Sequence, residues 1–388
     1  MMHVYVFDIM SRASIYGIGT YISMLKKVLI HNQIKTTFVI CGDSGNELTI
    51  TYRQHTRYIK IPKQQFNIPS DYLTEQSQYY KALIITLLPY IDKTETNIFH
   101  LNYLSCLALA QELKKYLKCK IVLTIHYTHK HYDGEDKFAE IPGEYEQAKI
   151  LLNQYCDKII AISKHIYHDI ITLYNVSSYK IILIPNCLPD QYKQFNIERY
   201  RMKMHWDTND ILIIYAGRLD PIKGVNLLPN AFEKILMHYK NVRLIIASNN
   251  NILTYIHSIP LKIRSRITFM GFISHKELYQ LFSAVDIGVV PSLYEPFGYV
   301  AIEMMMCGLP LIINDRSGLA EIVPLNVGVH VNLASVEDSI DNLVRGLEQL
   351  ISNKQLRIKY GNAGRMHFLK AYRFSDFSIN MNNLYKDL

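Results

Sequence analysis

The chain alternates short apolar runs rich in Val and Ile with longer segments of helical spacing, and it does so twice. In the first half HVYVFDI (3–9), TTFVI (36–40), NIFHL (97–101), KIVLTIH (120–126), KIIAIS (158–163) and KIILIPN (180–186) read as strands. Between them TYISMLKKVLI (20–30) and the stretches near 70–90, 104–116 and 143–155 carry helical periodicity. Strands that alternate with helices predict parallel βαβ units, hence a doubly wound α/β sheet. Pro185 and Pro189 then flank NCL, a polar stretch ends in DTND (207–210), and the alternation restarts. DILIIYAGR (210–218), VRLIIAS (242–248), ITFMG (267–271), DIGVVPS (286–292) and LPLIIND (309–315) are strand-like. GVNLLPNAFEKILMHY (224–239, with Pro229 inside it), HKELYQLFSAV (275–285), GYVAIEMMMCG (298–308, ended by Gly308), 335–351, 354–371 and 375–388 are helix-like. With 388 residues the chain fits two α/β domains. The expected boundary is near residue 190.

Composition removes several function classes. The formal charge of +8 is spread over both halves, 20 Lys+Arg against 17 Asp+Glu up to residue 190 and 22 against 17 beyond it. Without a basic arm, a nucleic-acid binder is not indicated, and mild attraction to anionic ligands or an anionic membrane surface remains open. The segment QELKKYLKCK (111–120) could touch anionic lipid, and such a segment is more often a solvated helix face. The six cysteines are scattered with no C-x-x-C pair, which predicts a reducing compartment and no disulfide frame. MMHVYVFDIM has no basic region ahead of an apolar one, and the longest apolar stretch, Ala82–Ile91, is broken by Pro89. Neither a signal peptide nor a membrane span is expected, and the expected location is the cytoplasm, with peripheral attachment to the inner membrane face left open.

Open α/β sheets bind ligands at the carboxyl ends of their strands, and two such domains facing each other would make a cleft. In PSLYEPFGYVAIE (291–303) an apolar strand runs into a helix through Glu295-Pro296-Phe297-Gly298. Gly298 lets backbone approach a ligand, and the free N–H groups of the helix start favour an anion or hydroxyls. Glu295 precedes the helix and Glu303 lies more than one turn inside it. Glu303 could accept from two vicinal hydroxyls, or it could be a solvated helix residue. AGRLDPIKG (216–224) places Arg218 and Lys223 five apart after the first strand of the second half, where two cations could grip a diphosphate. SIYGIGTYISML puts Gly17 and Gly19 between the first strand and first helix, in a loop able to approach a phosphate or simply a tight turn.

YAGRLDPIKGVNLLPNAF and ITFMGFISHKELYQLFSAVDIGVVPSLYEPFGYVAIEMMMCGLPLIINDRSGLAEIV resemble the retaining glycosyltransferases of family 4, and Glu295 and Glu303 match the E-x7-E pattern of that family. The resemblance covers nearly the whole second half; the first half matches in layout and a few loops. It implies the GT-B fold: an N-terminal acceptor-side Rossmann-like domain over 1–190, a nucleotide-sugar domain over 191–371, and a tail, about 372–388, packing back on the first. It implies that Arg218 and Lys223 bind the donor diphosphate, that Glu303 holds ribose hydroxyls and that Glu295 faces the donor sugar. The backbone of Phe297, Gly298 and Tyr299 should touch sugar hydroxyls and phosphate, and the loop of Gly271, Phe272 and Ile273 should lie by the base. His126 matches the family histidine near the donor sugar. His129 and His131 follow it; no acidic or cysteine partner is spaced to complete a zinc site, and the family needs no metal. Ser163 and Lys164 could contact phosphate or acceptor, or cap a helix.

Four positions depart from the family pattern. Ala247-Ser248-Asn249 replace glycines after a strand, Ser317-Gly318 replace a glycine pair, YGIG replaces another, and EMMMCG replaces a run with smaller side chains. The expected activity is transfer of a sugar, with retention, from a nucleoside-diphosphate sugar to a glycan, lipid-linked or protein acceptor, without cofactor or metal. A UDP-sugar is favoured as donor and a GDP-sugar stays open. A sugar-nucleotide epimerase, a glycan phosphorylase, a non-catalytic sugar-nucleotide binder and a peripheral membrane scaffold are the alternatives.

Overall fold

The computed structural model describes residues 2–8, 17–43, 45–54, 56–62, 73–128, 144–248, 252–335 and 338–388. Among these the chain divides into two compact units. One runs to Cys187 and takes in Phe374–Leu388; the other runs from Leu188 to Arg373.

The strands of the first unit are β1 (Met2–Asp8), β2 (Lys35–Asp43), β3 (Thr49–Arg53), β4 (Thr56–Pro62), β5 (Thr96–Leu101), β6 (Cys119–Ile125), β7 (Lys158–Ala161) and β8 (Ile181–Leu183). They lie in the order β3-β4-β2-β1-β5-β6-β7-β8, parallel throughout except for the antiparallel β3–β4 edge. The strands of the second unit are β9 (Ile211–Ala216), β10 (Val242–Ala247), β11 (Ile267–Phe269), β12 (Ile287–Val290), β13 (Leu311–Asn314) and β14 (Gly328–Val331). Their order, β11-β10-β9-β12-β13-β14, is the Rossmann order 3-2-1-4-5-6, with parallel pairing throughout. The apolar runs behave as a parallel sheet demands, because helices cover both faces: β6, β9, β12 and β13 are buried along almost their whole length. Strand order reverses between β1 and β5 in one sheet and between β9 and β12 in the other, which makes the carboxyl ends of those strands the natural ligand positions.

The sequence expectation differs from the structure at four places. Gly17 and Gly19 do not form a loop: the first helix already begins at Gly17 and runs to His31, so both glycines lie in its first turn. Pro229 is not inside a helix, because the segment opens with two 3-10 turns and the helix Leu228–His238 starts with the proline in its first turn, where a missing N–H costs nothing. The β3–β4 hairpin was not anticipated, and neither was the short strand β14.

The helix Phe374–Lys386 belongs to the core of the first unit. Phe377, Met381, Leu384 and Tyr385 pack with Tyr21, Leu25 and Val28 of the first helix. Polar groups reinforce this contact. Asn32 Nδ2 donates to Ser378 Oγ at 2.9 Å, and the Tyr385 hydroxyl lies 2.5 Å from His100 Nδ1. His100 Nε2 and the Tyr21 hydroxyl each lie 2.8 Å from Thr124 Oγ1, so one buried chain of hydrogen bonds joins the first helix, β5, β6 and the last helix. All six cysteines are buried and unpaired, and burial pushes their thiols up to about 12. Among the described residues no helix is long and apolar enough to cross a membrane.

Candidate functional site

In the second unit the candidate residues come from both sides of the β9/β12 reversal. After β9 the chain turns at Gly217, whose φ of +150° suits glycine. The Tyr215 hydroxyl donates to the Arg218 carbonyl at 2.5 Å and fixes the turn. Asp220 then caps the short 3-10 turn Pro221–Lys223 by accepting from Ile222 N at 3.2 Å, and Asp220 Oδ2 also lies 3.3 Å from Arg218 Nη1. Gly224, at φ +66°, ends this turn against the backbone after β12: a Cβ there would stand 2.0 Å from the Pro291 carbonyl oxygen. Leu293 N donates to Ile222 O at 2.8 Å across the same seam. These contacts deliver Lys223 to the elbow after β12, where its Nζ lies 2.7 Å from Glu295 Oε2. Both side chains are about four-fifths buried, with 21% and 20% of their surface exposed, so this pair is held in a less screened setting than a surface ion pair.

The elbow is pinned from its far side by the helix Ser317–Ile322. Ser317 Oγ accepts from Glu295 N at 3.0 Å, and Gly318 N donates to Glu295 O at 2.9 Å. Ser317 stands at φ +56°, a conformation that favours glycine, and its hydroxyl contact offsets part of the cost of a side chain there. Gly318 cannot be enlarged: a Cβ would lie 2.2 Å from the Pro296 carbonyl oxygen and 2.8 Å from that of Glu295. A Gly318→Ala protein is therefore expected to lose about 2–4 kcal/mol of stability, read from chemical denaturation, because backbone on both sides of the elbow must move. Gly298, at φ +106°, is the last residue before the helix Tyr299–Met306. Phe297 is buried between Tyr299 and Tyr372, at ring distances of 5.4 and 5.9 Å, and holds the turn down.

Glu303 is not a solvated helix residue. It is 5% exposed, the Tyr279 hydroxyl donates to its Oε1 at 3.3 Å, and His275 Nδ1 lies 3.6 Å from the same oxygen. Both partners come from the helix His275–Ala284, which a Ser274–Glu277 capping box starts. The carboxylate raises the pKa of His275, and burial together with the carboxylate raises that of the Tyr279 phenol. His275 and Tyr279 were not among the candidates from sequence; the i, i+4 spacing on a helix after the MGF turn is the signal that could have found them. Phe272 is strongly exposed, beside Gly271 at φ +63°.

In the first unit, His126 follows β6 and is buried, its ring edge-on to Tyr21 with centroids 4.7 Å apart. Burial lowers its pKa to about 3, so the imidazole is neutral at pH 7. Gly17 and Gly19 stand at the first turn of the first helix, and Ser163 caps the helix Lys164–Tyr174 by accepting from Ile166 N at 3.2 Å. His129, His131 and Asn249 lie outside the described residues. Among the described residues no group of three or more His, Cys, Asp or Glu could hold a metal ion.

Comparisons with known proteins bear on the family and the fold. Residues 196–367 match the profile of the glycosyl transferases group 1, and residues 15–192 match that of glycosyltransferase family 4. An uncharacterized glycosyltransferase of Methanocaldococcus jannaschii is 27% identical over 237 residues, which are 59% of this chain and 60% of that protein, so the chain spans three-fifths of the length of that relative. Sucrose-phosphate synthase of Thermosynechococcus elongatus has a similar structure, with TM-score 0.82 at 19% identity over 100% of this chain and 99% of the other. The Anabaena protein HepE, solved with UDP and glucose, superposes with TM-score 0.76 at 17% identity over 100% of both chains. The chain belongs to glycosyltransferase family 4 and has the GT-B fold.

Proposed function

We propose that the protein transfers a sugar, with retention at the anomeric carbon and without a metal, from a nucleoside-diphosphate sugar to a glycan, lipid-linked or protein acceptor. The observation that carries this reading is the pairing of Lys223 with Glu295 at 2.7 Å, on an elbow whose helix also carries the buried Glu303. Lys223 and Arg218 stand at adjoining strand ends, where two cations suit a diphosphate leaving group, and charge developing there is what fixed cations stabilise most. Glu303, already desolvated and held by Tyr279 and His275, accepts from the two ribose hydroxyls. Glu295 faces the donor sugar, and the backbone at Phe297, Gly298 and Tyr299 offers N–H groups to sugar and phosphate oxygens. Neutral His126 takes a sugar hydroxyl. Gly17 and Gly19 leave the first turn of their helix open to the donor phosphates, and Phe272 lies by the base. The departing phosphate takes the acceptor's proton, so no side-chain base is required. A UDP-sugar is the favoured donor, in keeping with the Anabaena structures with UDP and UDP-glucose, and a GDP-sugar is the alternative.

A panel of UDP-, GDP- and ADP-sugars tests this reading through thermal stabilisation and slow donor hydrolysis, with and without excess EDTA. One donor is expected to stabilise the protein and turn over in EDTA, and Glu303→Ala is expected to abolish the stabilisation. Stabilisation without turnover would make the chain a sugar-nucleotide binder. No response to any donor, with Glu303→Ala indistinguishable from the parent, would remove these residues from the mechanism.

A further inference from the structure

Five non-glycine residues among the described ones have positive φ. Gln33, Asn175 and His205 follow the ends of helices, and Gln54 turns the β3–β4 hairpin, positions where a left-handed residue closes a turn. Ser317 differs from all four: it opens a helix, on the segment that pins the Glu295 elbow. A non-glycine residue persists in such a conformation where its surroundings over-determine it, and such residues cluster at functional sites.

The surroundings here are a frame of hydrogen bonds at the exits of β12 and β13. Asn314, the last residue of β13, is buried; its Nδ2 donates to Ser292 O at 3.0 Å and its Oδ1 accepts from Leu333 N at 3.1 Å. Asp315 N donates to Val331 O at 2.9 Å, and Asp315 Oδ1 lies 2.8 Å from His330 Nδ1. These contacts fix the backbone that leads into Ser317. The Ser317 hydroxyl gives its proton to Arg316 O at 2.7 Å, so it meets Glu295 N, 3.0 Å away, with a lone pair. With Gly318 N on the Glu295 carbonyl at 2.9 Å, both backbone polar groups of Glu295 are held by two successive residues of one turn. The Glu295 carboxylate in turn holds Lys223 Nζ at 2.7 Å. A glycine at 317 would adopt the same φ without strain and would take this acceptor away from Glu295 N. The serine thus loses stability in its own backbone and fixes the place of the Lys223–Glu295 pair.

We propose that Ser317 is a positioning residue for sugar transfer, whose hydroxyl sets the Glu295 backbone and, through the carboxylate, the place of the Lys223 ammonium. The proposal rests on the transferase reading above. Two variants separate this role from a structural one, because both remove the hydroxyl and only one removes the strain. Ser317→Gly relieves the left-handed conformation, and Ser317→Ala keeps it. Ser317→Ala is therefore expected to melt about 2–4 °C below Ser317→Gly. Release of nucleoside diphosphate from the donor found in the panel is followed well below both melting temperatures, with circular dichroism checking that each variant is folded. Both variants are expected to lose kcat by the same factor, about 10- to 100-fold, the scale on which a displaced group slows a reaction, with KM for the donor within about threefold of the parent. A Ser317→Gly protein with the parent kcat overturns the proposal. A kcat loss that follows melting temperature, deep in Ser317→Ala and slight in Ser317→Gly, also overturns it and makes the serine a structural residue. A loss confined to KM does the same. A parent that releases diphosphate while both variants match it keeps the transferase reading and removes this one; a parent that cleaves no donor overturns both.

Discussion

Lys223→Ala is expected to lower kcat for sugar transfer by about 100- to 1,000-fold, the cost of removing one fixed donor from charge that develops in a transition state. The pairing with Glu295 complicates any single substitution, because truncating the lysine also strands a largely buried carboxylate 2.7 Å away. A double-variant cycle separates the two effects. If Lys223 acts on the leaving diphosphate, Lys223→Ala combined with Glu295→Gln stays as slow as the worse single variant. If its work is to neutralise Glu295, the combined protein recovers most of the rate and the phosphate role is lost. Arg218 serves as the comparison: it is more exposed, at 37%, and is tied to Asp220, so Arg218→Ala is expected to affect donor binding and rate without the stability loss that follows from stranding Glu295.

Acid is expected to destabilise the first unit by about 4 kcal/mol between pH 7 and pH 5, a fall of about 10 °C in its melting temperature. His100 and His126 are buried, and burial holds both near 3, against about 6.5 in an unfolded chain. Between those values the unfolded chain binds protons that the folded one refuses. The stability these residues contribute is thus present above pH 6.5 and is lost as the pH falls toward 3. Each costs about 2 kcal/mol at pH 5. His3, lowered to about 4 chiefly by burial, adds to the same trend. Asp8 opposes it, because a carboxyl raised to about 6 regains stability as the pH drops through that value. Calorimetry at several pH values checks the slope. His126→Gln should remove about half of the contribution of the two buried residues, and an unchanged slope in that variant would mean that His126 is protonated in the folded protein.

Both α/β units were legible from sequence because parallel strands buried on both faces leave continuous apolar runs such as ILIIYA and KIVLTI. The hairpin was not, for the opposite reason. β3 is an edge strand with mostly exposed residues, so TITYR carries no hydrophobic signal. β14 is only four residues long and opens on a glycine. Among the candidate site residues, the elbow and Lys223 could be found because glycine and proline mark the turns that present them. The burial of Glu303 could not be read locally. It depends on Tyr279 and His275, 24 and 28 residues earlier, and a carboxylate in the apolar helix YVAIEMMM looks the same whether water or a tyrosine meets it.

The last helix has a consequence for how the protein is made. Phe377, Met381, Leu384 and Tyr385 complete the same core that the first 30 residues begin. A ribosome makes the chain from one end, and domains usually fold as they emerge. Here the domain begun first cannot close until residues 374–386 have been synthesised, so the second unit, with its own complete sheet, has its whole sequence available earlier. Through that interval the hydrophobic seat on the first helix stands open to water. The early half of the molecule is thus the part that waits, and a stop codon within residues 374–386 would leave the core around the first helix unfinished.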